Sequence, residues 1–262
     1  MIFFRAVKYL RYIFLARHRR GHGIHSPFIF DLVSRVFRNK TDGHVVCNIE
    51  KVRKRLLSDR RLLTINDLGS GKDRRTTNIR KVSEIARNSP VPSKYGQLLS
   101  NLASEFGKSA ILELGTSIGI STMYISNGSP ESVIYTIEGS DEIALIAVRN
   151  FTEAGLNNII SLIGSFDEML PVVFGKGIKP GMVFIDGDHR KEAVLRYFSK
   201  IAEVSDNNTV IVIDDIYHSR EMEEAWNVIK LNENVSVTVD VFRMGIVFFR
   251  RGINHHNYIV RY

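Results

Sequence analysis

The sequence predicts an α/β fold: a mostly parallel, seven-stranded sheet that ends in an antiparallel hairpin, preceded by a basic helical N-terminal extension. Three observations carry this expectation. Apolar runs at 110–114, 133–138, 159–163, 182–186 and 209–214 alternate with stretches long enough for helices, which implies parallel strands covered on both faces. The last two runs, 235–241 and 245–249, lie only a few residues apart and must pair as a hairpin, because a parallel crossover needs about a dozen residues. Finally, residues 1–100 hold 22 Lys/Arg against 7 Asp/Glu, while residues 101–262 hold 14 against 21, so a basic front precedes an acidic rear.

With 262 residues, 44% hydrophobic and 24% charged, the chain is long enough for one large core plus an appendage. The expected divisions are a basic helical region over 1–92, a principal domain over 93–252 and a tail over 253–262. The single cysteine, Cys47, excludes an intramolecular disulfide and a cysteine-only zinc site; it reads as a small buried hydrophobe in a reducing compartment. No internal repeat or low-complexity tract is present.

The first 16 residues are apolar but interrupted by Arg5, Lys8 and Arg11, which argues against a transmembrane span and against a signal peptide. On a helix these charges form one stripe, and Phe3, Val7, Leu10 and Phe14 form another. That pattern suits a helix lying on an anionic membrane surface, and equally a helix docked on the main domain. It leads to the expectation of a cytoplasmic protein, peripheral to the inner membrane face. The segment Arg17–His25 packs three arginines and three histidines into nine residues, compatible with phosphate or metal binding and at least as well with a charged turn. Ser26 and Pro27 then suit the cap and first turn of a helix.

Residues 62–71 resemble a strand entering a glycine-rich nucleotide loop, yet basic residues follow, and no second strand ends in an acid about 20 residues later. The Ser89-Pro-Val-Pro92 segment breaks the chain before a helix starting near Ser93.

Glu113-Leu-Gly-Thr-Ser-Ile-Gly119 sits where the first strand of the main sheet turns into a helix. Its glycines allow close backbone approach to a ligand, and helix amides point toward an anionic group. Glu138 ends the next strand, where a carboxylate accepts ribose hydroxyls. Together they suit an adenosine-containing ligand. The spacing of Gly115 and Gly119 lacks the dinucleotide fingerprint, which counts against an NAD-dependent oxidoreductase.

The segment Glu113-Leu-Gly-Thr-Ser-Ile-Gly-Ile-Ser121 resembles the first motif of class I S-adenosylmethionine-dependent methyltransferases, in the catechol/caffeoyl-CoA O-methyltransferase-like branch, and residues 93–250 resemble that Rossmann-like fold. The resemblance implies that Glu113, Gly115, Thr116, Ser117 and Gly119 lie against the methionine part of the cofactor. It further implies that Ser121 binds the cofactor carboxylate, that Glu138 holds the ribose, and that Ser165 and Phe166 contact adenine. For the last two, a helix cap and a core aromatic are the competing readings. The chain also resembles uncharacterised bacterial methyltransferases with a Gly-Ile-His-Ser-Pro-Phe-like N-terminal segment.

Val183-Phe-Ile-Asp-Gly-Asp-His189 and Val210-Ile-Val-Ile-Asp-Asp215 place carboxylates at the ends of two strands, where open α/β sheets bind ligands. On neighbouring strands Asp186, Asp214 and Asp215 converge, and their repulsion calls for a cation such as Mg²⁺ or Ca²⁺. Metal-dependent members of the resembled branch carry Asp-Asn where this chain has Asp214-Asp215. They place a basic lysine where this chain has His189, which is able to act as general base near neutral pH or to bond a loop or the cofactor. Asp186 is expected at both cofactor and acceptor. Tyr217 and His218 are expected to line an acceptor pocket and Trp226 to be core. The reading favoured by these residues is methylation of a small-molecule oxygen; an RNA- or membrane-associated methyltransferase or pseudoenzyme using the basic front is the alternative.

Overall fold

The computed structural model describes residues 2–16, 23–67, 76–88 and 90–262. The chain forms two compact units: Met1–Asn39 with Gly181–Tyr262, and Lys40–Pro180. The expected boundary at 92/93 does not coincide with this division. Elements are numbered in chain order.

The first unit begins with helix α1 (Ile2–Leu15) and helix α2 (Pro27–Ser34). Ser26 caps α2 by accepting from the Ile29 amide, with Pro27 in the first turn as expected. Arg17–His22 of the arginine- and histidine-rich segment lie outside the described residues. Helix α1 is docked within its unit. The Tyr12 hydroxyl donates to the Val260 carbonyl at 2.6 Å and accepts from the Tyr262 amide at 3.0 Å. The Tyr9 and Tyr12 rings pack on Phe242. Arg5 and Lys8 of the charged stripe meet Asp215 and Glu223, whereas Arg11 is exposed and Phe3 and Phe14 are 82% and 79% exposed, with Val7 and Leu10 also outward.

The second unit opens with helix α3 (Gly43–Leu57), capped by Asp42, and the antiparallel pair β1 (Leu62–Asp67) and β2 (Thr76–Lys81). The run at 62–71 thus starts as one arm of a two-stranded ladder, and its glycines lie outside the described residues. Helices α4 (Val82–Asn88) and α5 (Ser93–Phe106) follow. Then strand β3 (Ala110–Leu114), helix α6 (Ile120–Gly128), strand β4 (Val133–Glu138), helix α7 (Asp141–Glu153), strand β5 (Ile159–Ile163) and helix α8 (Phe166–Phe174) alternate. β3, β4 and β5 pair in parallel, in that order. Ile49 and Leu56 of α3 and Val82 and Ile85 of α4 share one apolar cluster with Met123 and Tyr124 of α6 and Phe151 of α7. That shared burial places α3 and α4 in the same compact unit as the loop that follows β3, whose Ile118 belongs to the cluster. Cys47 is exposed, a correction to its expected burial: α3 turns Ile49 and Leu56 inward and Cys47 to solvent.

The chain then returns to the first unit with strand β6 (Met182–Ile185), helix α9 (Lys191–Val204), strand β7 (Val210–Ile213) and helix α10 (Arg220–Lys230). Strands β8 (Val237–Asp240) and β9 (Gly245–Phe248) form the expected hairpin. The strand order within this unit is β10-β8-β9-β7-β6, where β10 spans His256–Ile259. β6 and β7 are parallel, and β9 runs antiparallel to β7. The expected five parallel strands and hairpin are therefore present. β10, parallel to β8, adds an eighth strand within the segment expected to be a tail. Trp226 is buried, as expected, and its ring lies so close to Gly245 that a Cβ there would stand 2.6 Å from it. Among the described residues, no helix is long and apolar enough to cross a membrane.

Candidate active site

Within the Lys40–Pro180 unit, β3 ends in a loop that leaves ordinary backbone space three times: Gly115 has φ 100°, Ser117 φ 48° and Gly119 φ 84°. At Gly119 only glycine fits, since a Cβ would also stand 2.5 Å from the Phe151 ring. The loop is anchored to the neighbouring strand. Gly115 and Thr116 amides both donate to the Ile137 carbonyl, and the Thr116 and Thr136 hydroxyls bond at 2.6 Å. Glu138, half-buried at the end of β4, accepts from the Ser117 amide through Oε2 at 2.8 Å and from the Ser140 amide through Oε1 at 3.0 Å.

Glu113 is fully buried, and its Oε2 accepts from the Thr122 and Thr136 hydroxyls. Burial pushes its carboxyl up to about 7, with the Thr122, Thr136 and Ser121 hydroxyls opposing the rise. Its other oxygen has no hydrogen-bond partner. Glu113 is thus a buried brace beneath the loop. Ser121 lies buried in the first turn of α6, where unpaired helix amides favour an anion. Ser165 caps α8 in a reciprocal capping box with Glu168, and Phe166 is half-buried in its first turn. The cap reading for Ser165 is realised; the core reading for Phe166 is not.

In the other unit the parallel register of β6 and β7 sets Ile185 opposite Ile213, so Asp186 and Asp214 leave adjacent strand ends. Asp188 and Asp215 are non-glycine residues with φ 51° and 52°, backbone strain that concentrates where these strands end. His189 Nε2 stands 3.8 Å from Asp186 Oδ1, and His218 Nδ1 stands 3.7 Å from Asp215 Oδ2. The two imidazoles stack with centroids 5.6 Å apart. Burial holds both below their ordinary value of 6.5, against an upward pull from Asp215. Both rings are therefore neutral near pH 7. Asp215 Oδ1 and His218 Nδ1 are buried with no hydrogen-bond partner. The Tyr217 hydroxyl donates to Asp240 at 2.5 Å.

Asp214 has no exposed surface and is gripped by Arg243, whose Nε lies 2.9 Å from Oδ1 and whose Nη2 lies 2.7 Å from Oδ2. Burial raises the Asp214 carboxyl above its ordinary value, and the charge and hydrogen bonds of Arg243 oppose that rise. Arg5 Nη2 stands 3.6 Å from Asp215 Oδ1. Among the described residues, no three His, Cys, Asp or Glu side chains are placed to hold a metal ion. The expected set of Asp186, Asp214 and Asp215 does not fit a divalent cation, because both Asp214 oxygens already face a guanidinium. Arg243 and Asp240 were not singled out from sequence, and Arg5 was read only as part of the charged stripe of the first helix. The signal for Arg243 was its place in the hairpin turn, interpretable only once the register between β7 and β9 is known.

Residues 112–216 match a family model described as a methyltransferase domain. A catechol O-methyltransferase of Niastella koreensis is 33% identical over 131 residues, covering 49% of this chain and 57% of the relative. One of Mycobacterium tuberculosis is 29% identical, covering 48% and 56%. The chain thus spans little more than half the length of these curated relatives. Among solved structures, an O-methyltransferase of Bacillus cereus in complex with SAH superposes with a TM-score of 0.56 at 21% identity, over 84% of this chain and 97% of that one. The SAH-bound methyltransferase PaMTH1 of Podospora anserina gives a TM-score of 0.60 at 15% identity, over 86% and 97%. With the strand pattern and the left-handed glycine loop, these matches make residues 112–216 similar to a methyltransferase domain and give the chain the fold of these solved methyltransferases.

Proposed function

We propose that the chain binds S-adenosylmethionine and transfers its methyl group to an oxygen of a small molecule. The observation that carries this reading is the Gly115–Gly119 loop, tied through Thr116 and Thr136 to buried Glu113 and held at Ser117 by Glu138. Gly115, Thr116, Ser117 and Gly119 approach the methionine part of the cofactor, and Ser121 its carboxylate. Glu138 takes the ribose hydroxyls, and Ser165 and Phe166 take adenine. The oxygen acceptor follows the names of the relatives, catechol O-methyltransferases.

In the reaction, a lone pair of the acceptor oxygen attacks the sulfonium methyl in line. The O–C bond forms as the C–S bond breaks, and its electron pair moves to sulfur, leaving S-adenosylhomocysteine. The acceptor proton passes to neutral His189, with Asp186 orienting the imidazole or the acceptor. Asp215 Oδ1 and His218 Nδ1, both buried without a hydrogen bond and the former beside Arg5, offer hydrogen-bonding places for acceptor hydroxyls. Calorimetry with the full chain tests the cofactor assignment: micromolar binding of S-adenosylhomocysteine is expected, and absence of binding ends this reading.

The outward face of α1 favours one addition. Phe3, Val7, Leu10 and Phe14 face solvent beside exposed Arg11, a combination suited to peripheral docking on an anionic bilayer. Full-length protein is expected to float with anionic liposomes and a variant lacking residues 2–15 to stay behind; equal behaviour of the two rules out this role for α1.

A further inference from the structure

The hairpin turn between β8 and β9 is built to deliver one side chain. Phe242 is held at φ 71°, a conformation unfavourable for an aromatic residue, by its amide donating to Asp240 at 2.8 Å and by the rings of Tyr9, Tyr12 and Tyr217. The Arg243 carbonyl accepts from the Ile216 amide at 3.1 Å, which ties the turn to the segment after β7. With Gly245 in register opposite Ile213, the Arg243 guanidinium meets the carboxylates at the end of β7. It holds Asp214 through Nε and Nη2, and Nη2 also stands 3.8 Å from Asp215 Oδ2.

We propose that Arg243 is a resident cation: its guanidinium compensates the Asp214–Asp215 pair in place of a divalent metal, so the methyl transfer proposed above proceeds without one. The inference rests on that reading of the reaction. Three observations point the same way. Both oxygens of Asp214, the most buried of the three carboxylates, face the guanidinium. A hard ion bound to those oxygens at about 2.0–2.6 Å would displace these hydrogen bonds and meet a like charge. Asp215 has Arg5 near one oxygen and Arg243 near the other, so cations already flank the second carboxylate. An Asp-Asp pair carries one more charge than Asp-Asn, and a fixed guanidinium supplies the matching positive charge whatever the metal supply. Arg243 is a positioning residue: it fixes Asp214 and Asp215, beside which His218 and His189 stand.

The test uses full-length protein with Mg²⁺ and EDTA, reading melting temperature, calorimetric Mg²⁺ binding and S-adenosylhomocysteine binding on the same samples. Wild type is expected to show no saturable Mg²⁺ binding and no change with EDTA. Arg243→Ala is expected to retain S-adenosylhomocysteine binding, to lose at least about tenfold in turnover and to regain part of it with millimolar guanidinium, a rescue that a packing defect would not show. If that variant does not fold, Arg243→Lys keeps the charge and is expected to be folded, insensitive to Mg²⁺ and slower than wild type. Saturable Mg²⁺ binding to wild type that disappears in Asp214→Asn overturns the proposal, as does an Arg243→Lys or Arg243→Ala protein with unchanged turnover. Loss of S-adenosylhomocysteine binding by wild type would instead end the methyltransferase reading, and the Mg²⁺ readout would stand by itself.

Discussion

Glu138 accepts the Ser117 amide at 2.8 Å, so the carboxylate assigned to the ribose also sets the shape of the loop assigned to the methionine end. Ser117 is one of the non-glycine residues in left-handed space, and this bond is one reason it stays there. Glu138→Ala removes a charged acceptor from both jobs. The expected result is a loss of about 10- to 100-fold in S-adenosylhomocysteine affinity, measured by calorimetry, with Glu138→Gln falling between it and wild type.

The His189 imidazole is held below 6.5 by burial, so it remains neutral, and able to accept a proton, into mildly acidic solution. The rate of methyl transfer is expected to fall only as pH drops below 6.5 and to level off above it. His189→Gln is expected to lower turnover by about 10²- to 10⁴-fold and to abolish that acid limb, while cofactor affinity is retained. A pH–rate profile with an unchanged acid limb in the variant would assign the proton to another group.

Glu113 has a folded-state carboxyl near 7 against an ordinary value of 4.5. A group raised on folding contributes stability that is fully present below 4.5 and is lost as pH rises through about 7. Glu113→Gln removes the titrating group. Its stability relative to wild type is therefore expected to improve between pH 5 and pH 8, by an amount on the order of 2 kcal/mol, read from urea unfolding at the two ends.

Gly245 lies under the ring of Trp226, the single tryptophan of the chain. Gly245→Ala places a methyl group within 2.6 Å of that ring and is expected to cost about 1–3 kcal/mol, with a change in tryptophan fluorescence that reports the displaced indole. Unfolding followed at the tryptophan emission checks both.

The order of strands and helices over residues 110–249 was legible because buried parallel strands read as apolar runs, and because too few residues separate β8 from β9 for any connection but a hairpin. The loop from Glu113 to Ser121 and the position of Glu138 were equally legible, since left-handed backbone and strand-end carboxylates leave local signatures. β10 was not: His-Asn-Tyr-Ile is short and polar, and it is a strand only because β8 lies beside it. Periodicity likewise paired the charged and apolar stripes of α1 without saying which face would meet the protein. The ion pair of Lys8 with Glu223, and Arg5 beside Asp215, decided that.

The sequence by itself determined the layered α/β architecture, the glycine loop after the first strand of the main sheet and the strand-end carboxylates, because each depends on residues close together in the chain. Only the tertiary structure decided what neutralises those carboxylates. Asp214 and Arg243 are 29 residues apart, and they meet because β9 returns antiparallel beside β7 and a strained Phe242 aims the following side chain inward. Local pattern marks where charge collects, whereas the partner of a buried charge is set by chain register, which no short segment contains.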